Sequence, residues 1–264
     1  MIGFIGGGNM AEAIIKGVRS QESGVRRDIF VSEPQEDRRK YLEQTYGIKT
    51  TESNREVTKS CSIIILAVKP QNMETVLDEI ADLITEDKTV VSIAAGITLS
   101  CLQSKLKTKK LIRVMPNTPA IVQEGMSVMS LCECFSDKDI VIVRDIFMSV
   151  GKLLILPEKY MNAVTAVSGS SPAFIAFFVE SIIDAAQKIG LPETHAQELA
   201  MQTLIGTAEL LKTGMTPKKL REMVTSPGGT TAAGLAVFEE KGFKDIVYDS
   251  LYSALKRAEE LGSI

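Results

Sequence analysis

Ile2-Gly3-Phe4-Ile5-Gly6-Gly7-Gly8-Asn9-Met10-Ala11-Glu12-Ala13-Ile14 begins as an apolar strand, turns through three glycines and continues with helix formers. Gly6, Gly8 and Ala11 occupy the three positions of the dinucleotide-binding fingerprint Gly-x-Gly-x-x-Gly/Ala. The first makes the turn, the second lets a pyrophosphate approach the backbone, and the third keeps helix and strand close. The free N–H groups and positive dipole of the helix start are then expected to hold the phosphates. A glycine turn that merely ends a strand is the bland alternative, and the strand before it and helix after it favour the cofactor.

The chain around this turn has 264 residues, 45% of them hydrophobic and 24% charged, which is globular composition with room for two domains. Its formal net charge of -3 leaves no basic surplus for a nucleic-acid backbone or an acidic membrane surface, so a small-molecule partner is expected. Cys61, Cys101, Cys132 and Cys134 lack metal-ligand spacing, and one histidine is present to help them. They read as reduced thiols of a cytoplasmic protein, with no metal. A strand beginning at residue 2 leaves no room for a signal peptide. The apolar stretch Ala163 to Ala186 is interrupted by Ser168-Gly169-Ser170-Ser171-Pro172 and carries Glu180 and Asp184, so a bundle or dimer helix is expected in place of a membrane span.

Strands and helices alternate through the first half. Asp28 to Ser32 reads as a strand ending at Glu33-Pro34, where an acidic side chain can bind the ribose hydroxyls of NAD and repel the extra phosphate of NADP. Arg38, Arg39 and Lys40 follow, either to accommodate that phosphate or as an exposed helix face. A helix over Gln35 to Tyr46, a strand at Ile48 to Thr50 and a helix start near Ser53-Asn54 come next. Ser62 to Val68 is a continuous β-branched run, as a parallel strand buried on both faces requires. Strand ends of such a sheet face the cofactor crevice, which places Ala67, Val68, Lys69 and Pro70 along it. A helix from Gln71 to Ile84 leads to the strand Thr89 to Ile93, whose end, Ala94-Ala95-Gly96, is small enough for close backbone approach to a ligand ring. Further strands are expected at Leu111 to Met115, Met126 to Leu131 and Leu153 to Leu156, with a polar turn at Pro116-Asn117-Thr118-Pro119 and a helix from Ser136 to Val150.

From Glu158 the pattern becomes helical only, which marks a domain boundary near Pro157. The fold class is therefore α/β: a Rossmann-type dinucleotide-binding domain with a mostly parallel sheet over 1–157, then an all-helical domain over 158–264. Phe174, Ile175, Phe177, Phe178, Val179, Ile182 and Ile183 give the helical part more apolar face than one copy can bury, so a second copy is expected. Ser226-Pro227-Gly228-Gly229-Thr230-Thr231 opens a helix and offers hydroxyls and backbone N–H groups to a carboxylate, the alternative being a simple helix cap.

These blocks resemble, in order and nearly end to end, the Δ1-pyrroline-5-carboxylate reductases, which complete proline biosynthesis. The resemblance is carried by the opening glycine block, Leu66 to Gln71, Ala94-Ala95-Gly96, Arg113 to Pro119, Ser168-Gly169-Ser170 and, most specifically, Leu220 to Glu239. It implies NADPH or NADH as hydride donor, a helical domain interwoven with that of a second subunit into a homodimer or an oligomer of dimers, and active sites where subunits meet. By position it implies a phosphate loop of Gly6, Gly7, Gly8, Asn9, Met10 and Ala11, an Asn54 that touches the cofactor, and a nicotinamide end lined by Ala67 to Pro70 with Ala94 and Ala95. Glu158 and Thr165 would border the substrate. Ser226, Gly228, Gly229, Thr230 and Thr231 would hold its carboxylate, with Thr231 as the catalytic group near the ring nitrogen. NADPH-using relatives often carry a small hydroxyl or basic residue where this chain has Glu33, which tilts the expectation towards NADH.

Ketone reduction leaves an alkoxide and needs a proton donor. The related β-hydroxyacid dehydrogenases have a lysine soon after the glycine- and serine-rich interruption, whereas Ala173 to Val179 contains none and His195 lies in a polar segment. A protonated cyclic imine needs no such donor. A related imine or 3-hydroxyacid reductase and a non-catalytic dinucleotide-binding regulator are the alternative readings; the intact Ser226 to Thr231 block speaks against the regulator.

Overall fold

The computed structural model describes residues 1–20, 28–132 and 137–262. Cys134 and the expected helix start at Ser136 lie outside the described residues. The chain forms two compact units, one of Met1–Ser170 with the residues from Ala254 onward, the other of Ser171–Ser253.

The first unit begins β1 (Ile2–Ile5), α1 (Asn9–Ser20), β2 (Ile29–Ser32), α2 (Glu36–Tyr46), β3 (Lys49–Thr51) and α3 (Asn54–Ser60). It continues β4 (Ile63–Leu66), α4 (Met73–Ile80), β5 (Thr89–Ser92), α5 (Leu99–Lys105) and β6 (Leu111–Met115). β7 (Gly125–Leu131), α6 (Asp137–Met148) and β8 (Gly151–Ile155) complete the sheet. Among the described residues the strands form one 8-stranded sheet in the order β3-β2-β1-β4-β5-β6-β7-β8. Every neighbouring pair is parallel except β6 and β7. The link from Pro116 to Glu124 is shorter than the dozen or so residues that a parallel crossover needs, so β7 returns antiparallel.

Both faces of the sheet are covered. Ile65, Phe4, Val91, Ile112 and Met129 lie in one core cluster with Ile14 of α1 and Phe147 of α6. Ile64, Ile5, Phe30, Val90 and Leu111 lie in the other with Leu77 of α4 and Leu102 of α5. Alternate residues of β4 thus feed opposite cores, which is why its sequence is unbroken aliphatic. Each fully buried aliphatic side chain contributes about 1.5–3 kcal/mol. Because the strand order reverses between β1 and β4, a crevice opens at their carboxyl ends.

Three departures from the sequence expectations have local causes. The expected helix from Gln71 to Ile84 is α4 flanked by 3-10 turns at Pro70–Asn72 and Ala81–Leu83. α5 was not anticipated; Thr98 starts it, its Oγ1 accepting the Cys101 N–H at 3.1 Å. After β8 a short helix, α7 (Met161–Val164), runs into a π-helical turn, Thr165–Gly169. The first unit continues through this turn, past Pro157, with Met161 and Ala166 buried.

α8 (Ser171–Lys188), α9 (Glu193–Lys212), α10 (Pro217–Met223) and α11 (Thr230–Glu240) form the second unit with the first turns of α12 (Phe243–Leu261). Phe178, Phe238 and Phe243 group their rings at centroid distances of 6.5, 6.1 and 4.9 Å. Much of α8 stays uncovered within the chain, Phe177 being 69% exposed. The expected interruption at Ser168 to Pro172 widens the path into a π turn and does not end it, so Glu158–Lys188 is long and apolar enough to cross a membrane by length and composition.

Gly6, at φ 97°, has no room for a side chain: a Cβ would stand 2.8 Å from the Ala67 carbonyl oxygen. Gly6→Ala is expected to cost about 1–3 kcal/mol and to lower the melting temperature by several degrees in a thermal scan. An unchanged melting temperature would show that the turn can relax around a side chain.

Candidate functional site

At the carboxyl end of β1 the backbone is knitted to both neighbours, Gly6 N–H donating to Ser32 O and Ala67 N–H to Ile5 O, each at 2.8 Å. The next two glycines have different surroundings. A Cβ on Gly7 would lie 2.9 Å from Leu42 Cδ1 and 3.1 Å from Glu33 Cβ, whereas a Cβ on Gly8 would meet nothing within 4 Å. Gly8 therefore presents bare backbone to open space at the start of α1. Its carbonyl accepts the Glu12 N–H at 2.9 Å, Asn9 is exposed, Met10 packs on the first core cluster, and Ala11 is buried where the helix meets the sheet. A pyrophosphate fits this arrangement, because donors, dipole and free space coincide.

Glu33 is buried, and both carboxylate oxygens take backbone donors: Oε2 the Gly7 N–H at 2.9 Å, Oε1 the Gln35 N–H at 3.0 Å. The cations that follow are also engaged. Arg38 Nε donates to Gly7 O at 2.7 Å and its Nη2 to Glu12 Oε2 at 2.5 Å. Arg39 Nη1 donates to the carbonyls of Glu33 and Pro34 at 2.7 and 2.8 Å, and Lys40 pairs with Glu36. Glu12 Oε1 accepts the hydroxyls of Tyr41 and Tyr46 at 2.8 Å each. Burial raises the Glu12 pKa, but the hydrogen bonds from Tyr46, Arg38 and Tyr41 outweigh it and hold the carboxyl below the usual glutamate range.

Along the crevice, Ala67, Val68 and Pro70 are half-buried and Lys69 is exposed. Asn54, the first residue of α3, has both ends of its amide occupied: Oδ1 accepts from Ser32 Oγ and Nδ2 donates to Glu79, both at 2.7 Å. Ala94 is buried and Ala95 half-buried. Gly96 is small for a reason other than a ligand ring: at φ 79°, its absent Cβ would stand 2.8 Å from Leu261 O at the end of α12. The last turn of the chain thus braces the loop after β5.

Glu158 ties this same loop from another side. Its Oε1 accepts the Leu99 N–H at 2.7 Å and Arg113 Nη1 at 3.3 Å. Arg113 is buried in β6, and its Nη2 has no hydrogen-bond partner among the described residues. Burial pushes its pKa below the usual guanidinium value against the pull of Glu158. Asn117 Oδ1 accepts the Met126 N–H at 2.8 Å, and its Nδ2 reaches Ser168 O and Oγ at 3.3 Å, pinning the π turn. Thr165 spends its hydroxyl on Met161 O at 2.9 Å. Arg38 reads in the sequence as a phosphate contact or an exposed helix face and Arg113 as part of a strand; their bonds to Gly7 O, Glu12 and Glu158 were not anticipated, since at the level of sequence they look like any helix-face or strand polar residue.

In the second unit Gly228, at φ 71°, turns the chain, and Gly229 N–H donates to Ser226 O at 3.0 Å. Gly229 is the N-cap of α11, and among the described residues no side chain caps that helix. Ser226, Gly228, Thr230 and Thr231 are exposed and Gly229 is half-buried. Hydroxyls and free helix donors therefore face outward together, as a carboxylate site needs. His195 is exposed.

Known families match two parts of the chain. Residues 158–261 match the family described as pyrroline-5-carboxylate reductase dimerisation, and residues 1–96 the family described as NADP oxidoreductase, coenzyme F420-dependent. The chain is 40% identical over 262 residues to a pyrroline-5-carboxylate reductase of Synechocystis sp., covering 99% of this chain and 98% of that one. It superposes on a solved pyrroline-5-carboxylate reductase of Coxiella burnetii with a TM-score of 0.90 at 32% identity, covering 98% and 97% of the two chains. A solved Plasmodium falciparum pyrroline carboxylate reductase with NADP bound gives a TM-score of 0.88 at 32% identity, covering 99% and 97%.

The open face of Gly8 yields a direct prediction. Gly8→Ala is expected to melt as the wild type does, since a Cβ there touches nothing, yet to bind NADH and NADPH about tenfold more weakly or worse in fluorescence titrations. Unchanged affinity for both would remove the phosphates from this turn.

Proposed function

The chain belongs to the pyrroline-5-carboxylate reductase family, and from that premise we propose how its own residues reduce the cyclic imine Δ1-pyrroline-5-carboxylate to L-proline. The enzyme is an NAD(P)H-dependent oxidoreductase acting on a C=N bond in proline biosynthesis. The carrying observation is that one chain holds both an open glycine turn at a sheet switch point and an uncapped, hydroxyl-rich helix start.

When bound, the reduced nicotinamide would supply one hydride to the imine carbon. The glycine turn, Gly6 to Ala11, holds the dinucleotide phosphates, and Asn54, Ala67 to Pro70, Ala94 and Ala95 border the remainder. At the α11 start, Ser226, Gly228, Gly229 and Thr230 hold the substrate carboxylate, and the Thr231 hydroxyl orients the ring nitrogen, which carries the proton of the iminium form. Glu158 and Thr165 border the substrate through the backbone they brace. Reduction of a protonated imine leaves a neutral amine, so no buried acid is required, in keeping with Ala173 to Val179 offering none. Functionally, 1–157 binds the dinucleotide and 158–264 supplies dimerisation and substrate binding.

Glu33 favours NADH: its buried carboxylate sits at the end of β2, where a 2′-phosphate would meet a negative charge, and the neighbouring Arg38 and Arg39 have partners already. The protein is a homo-oligomer. We infer a dimer built through the helical region, with the exposed apolar residues of α8 against the second copy, in the cytoplasm.

A substrate panel tests the reading. Turnover is expected with pyrroline carboxylate, more weakly with piperideine carboxylate, and not with 3-hydroxy acids, and with NADH at least as good as NADPH; activity confined to hydroxy acids would overturn it. Thr231→Ala is expected to lower kcat by about tenfold or more while dinucleotide affinity stays within about twofold. Equal kcat for the variant and wild type would remove Thr231 from the reaction.

A further inference from the structure

We propose that Arg38 is a positioning residue that aims the phosphate-binding N–H of Gly8 and does not read the 2′-phosphate that separates NADPH from NADH. The proposal rests on the dinucleotide reading of the glycine turn. Three consecutive glycines can rotate their peptide planes at little steric cost, so something outside the turn must fix them. The peptide joining Gly6 to Gly7 is fixed by Glu33, which takes its N–H at 2.9 Å. The next peptide, Gly7 to Gly8, is fixed by Arg38 Nε, which donates to its carbonyl at 2.7 Å.

In a planar trans peptide the C=O and N–H point in opposite directions. Pulling Gly7 O towards Arg38 therefore aims the Gly8 N–H away from α2, and Gly8 is the glycine with open space around it. The guanidinium is itself held: Nη2 binds Glu12, whose other oxygen takes Tyr41 and Tyr46, and the Tyr41 ring lies 5.2 Å from the guanidinium carbon. Planarity and the fork of donors let one Arg bridge Gly7 O and Glu12; a lysine ammonium has no such fork. With Nε and Nη2 spent on these acceptors, Arg38 serves the loop common to both dinucleotides.

The test is a titration of the full-length protein with NADH and with NADPH, following nucleotide fluorescence, for wild type, Arg38→Met, Arg38→Lys and Glu12→Gln. Arg38→Met is expected to weaken both dinucleotides by the same factor, about tenfold, leaving their ratio within about twofold of wild type. Arg38→Lys should fall with it, and Glu12→Gln should show a smaller loss of the same kind, which keeps the test open if Arg38→Met does not fold. In steady state the variants should raise KM for either dinucleotide and leave kcat at saturating dinucleotide unchanged, whereas a merely destabilised protein would lose kcat instead. Loss confined to NADPH, wild-type affinity in Arg38→Met, or wild-type behaviour of Arg38→Lys would each overturn the proposal. Failure of the wild type to bind either dinucleotide would overturn it together with the reading of the turn.

Discussion

Gly7 is held at both of its backbone polar groups. Its N–H goes to the buried carboxylate of Glu33 and its C=O to the guanidinium of Arg38, so two successive peptides of a turn with almost no side chains are locked to the strand and helix that follow it. Each bond involves a charged group and so is stronger than a neutral backbone pair. The pay-off is preorganisation: a glycine turn left loose would have to order itself around its ligand, at a cost in affinity. β2 and α2 thus act less as a wall of the crevice than as the support of its floor.

The same logic extends to the loop after β5, the expected nicotinamide end. Glu158 takes the Leu99 N–H, and the backbone of Leu261 fills the space that Gly96 leaves. Segments flanking the helical half therefore brace a loop of the sheet. Asn117, in a block typical of the family, and Thr165, expected to border the substrate, spend their hydrogen bonds on local backbone and on the π turn. In this site the polar side chains largely shape main chain, and exposed main chain and hydroxyls are left for ligands.

Much of this was legible in the sequence where the signal is local. The aliphatic run of β4 announced a strand buried on both faces, and the glycine spacing announced the turn between β1 and α1. The α11 start could be read as well, because a glycine pair followed by threonines has a short-range meaning. What escaped depends on distance along the chain. Arg38 could be read as a phosphate contact or an exposed helix face, but its bond to Gly7, 31 residues away, could not. Gly96 reads as a ligand-contact glycine until Leu261, at the far end of the chain, is seen beside it. Arg113 lies 45 residues from Glu158, and an arginine inside a strand gives no hint that it is buried. α5 was missed for a different reason: one short helix with a single Thr cap carries little periodicity.

The central claim, that the glycine turn is set before its ligand arrives, is tested most directly by residue-resolved amide hydrogen exchange on the ligand-free protein and after addition of NADH. The account predicts a protected Gly7 amide and a freely exchanging Gly8 amide without ligand, with Gly8 becoming protected on binding and Gly7 unchanged. A Gly7 amide that exchanges as freely as Gly8 until NADH is added would contradict it.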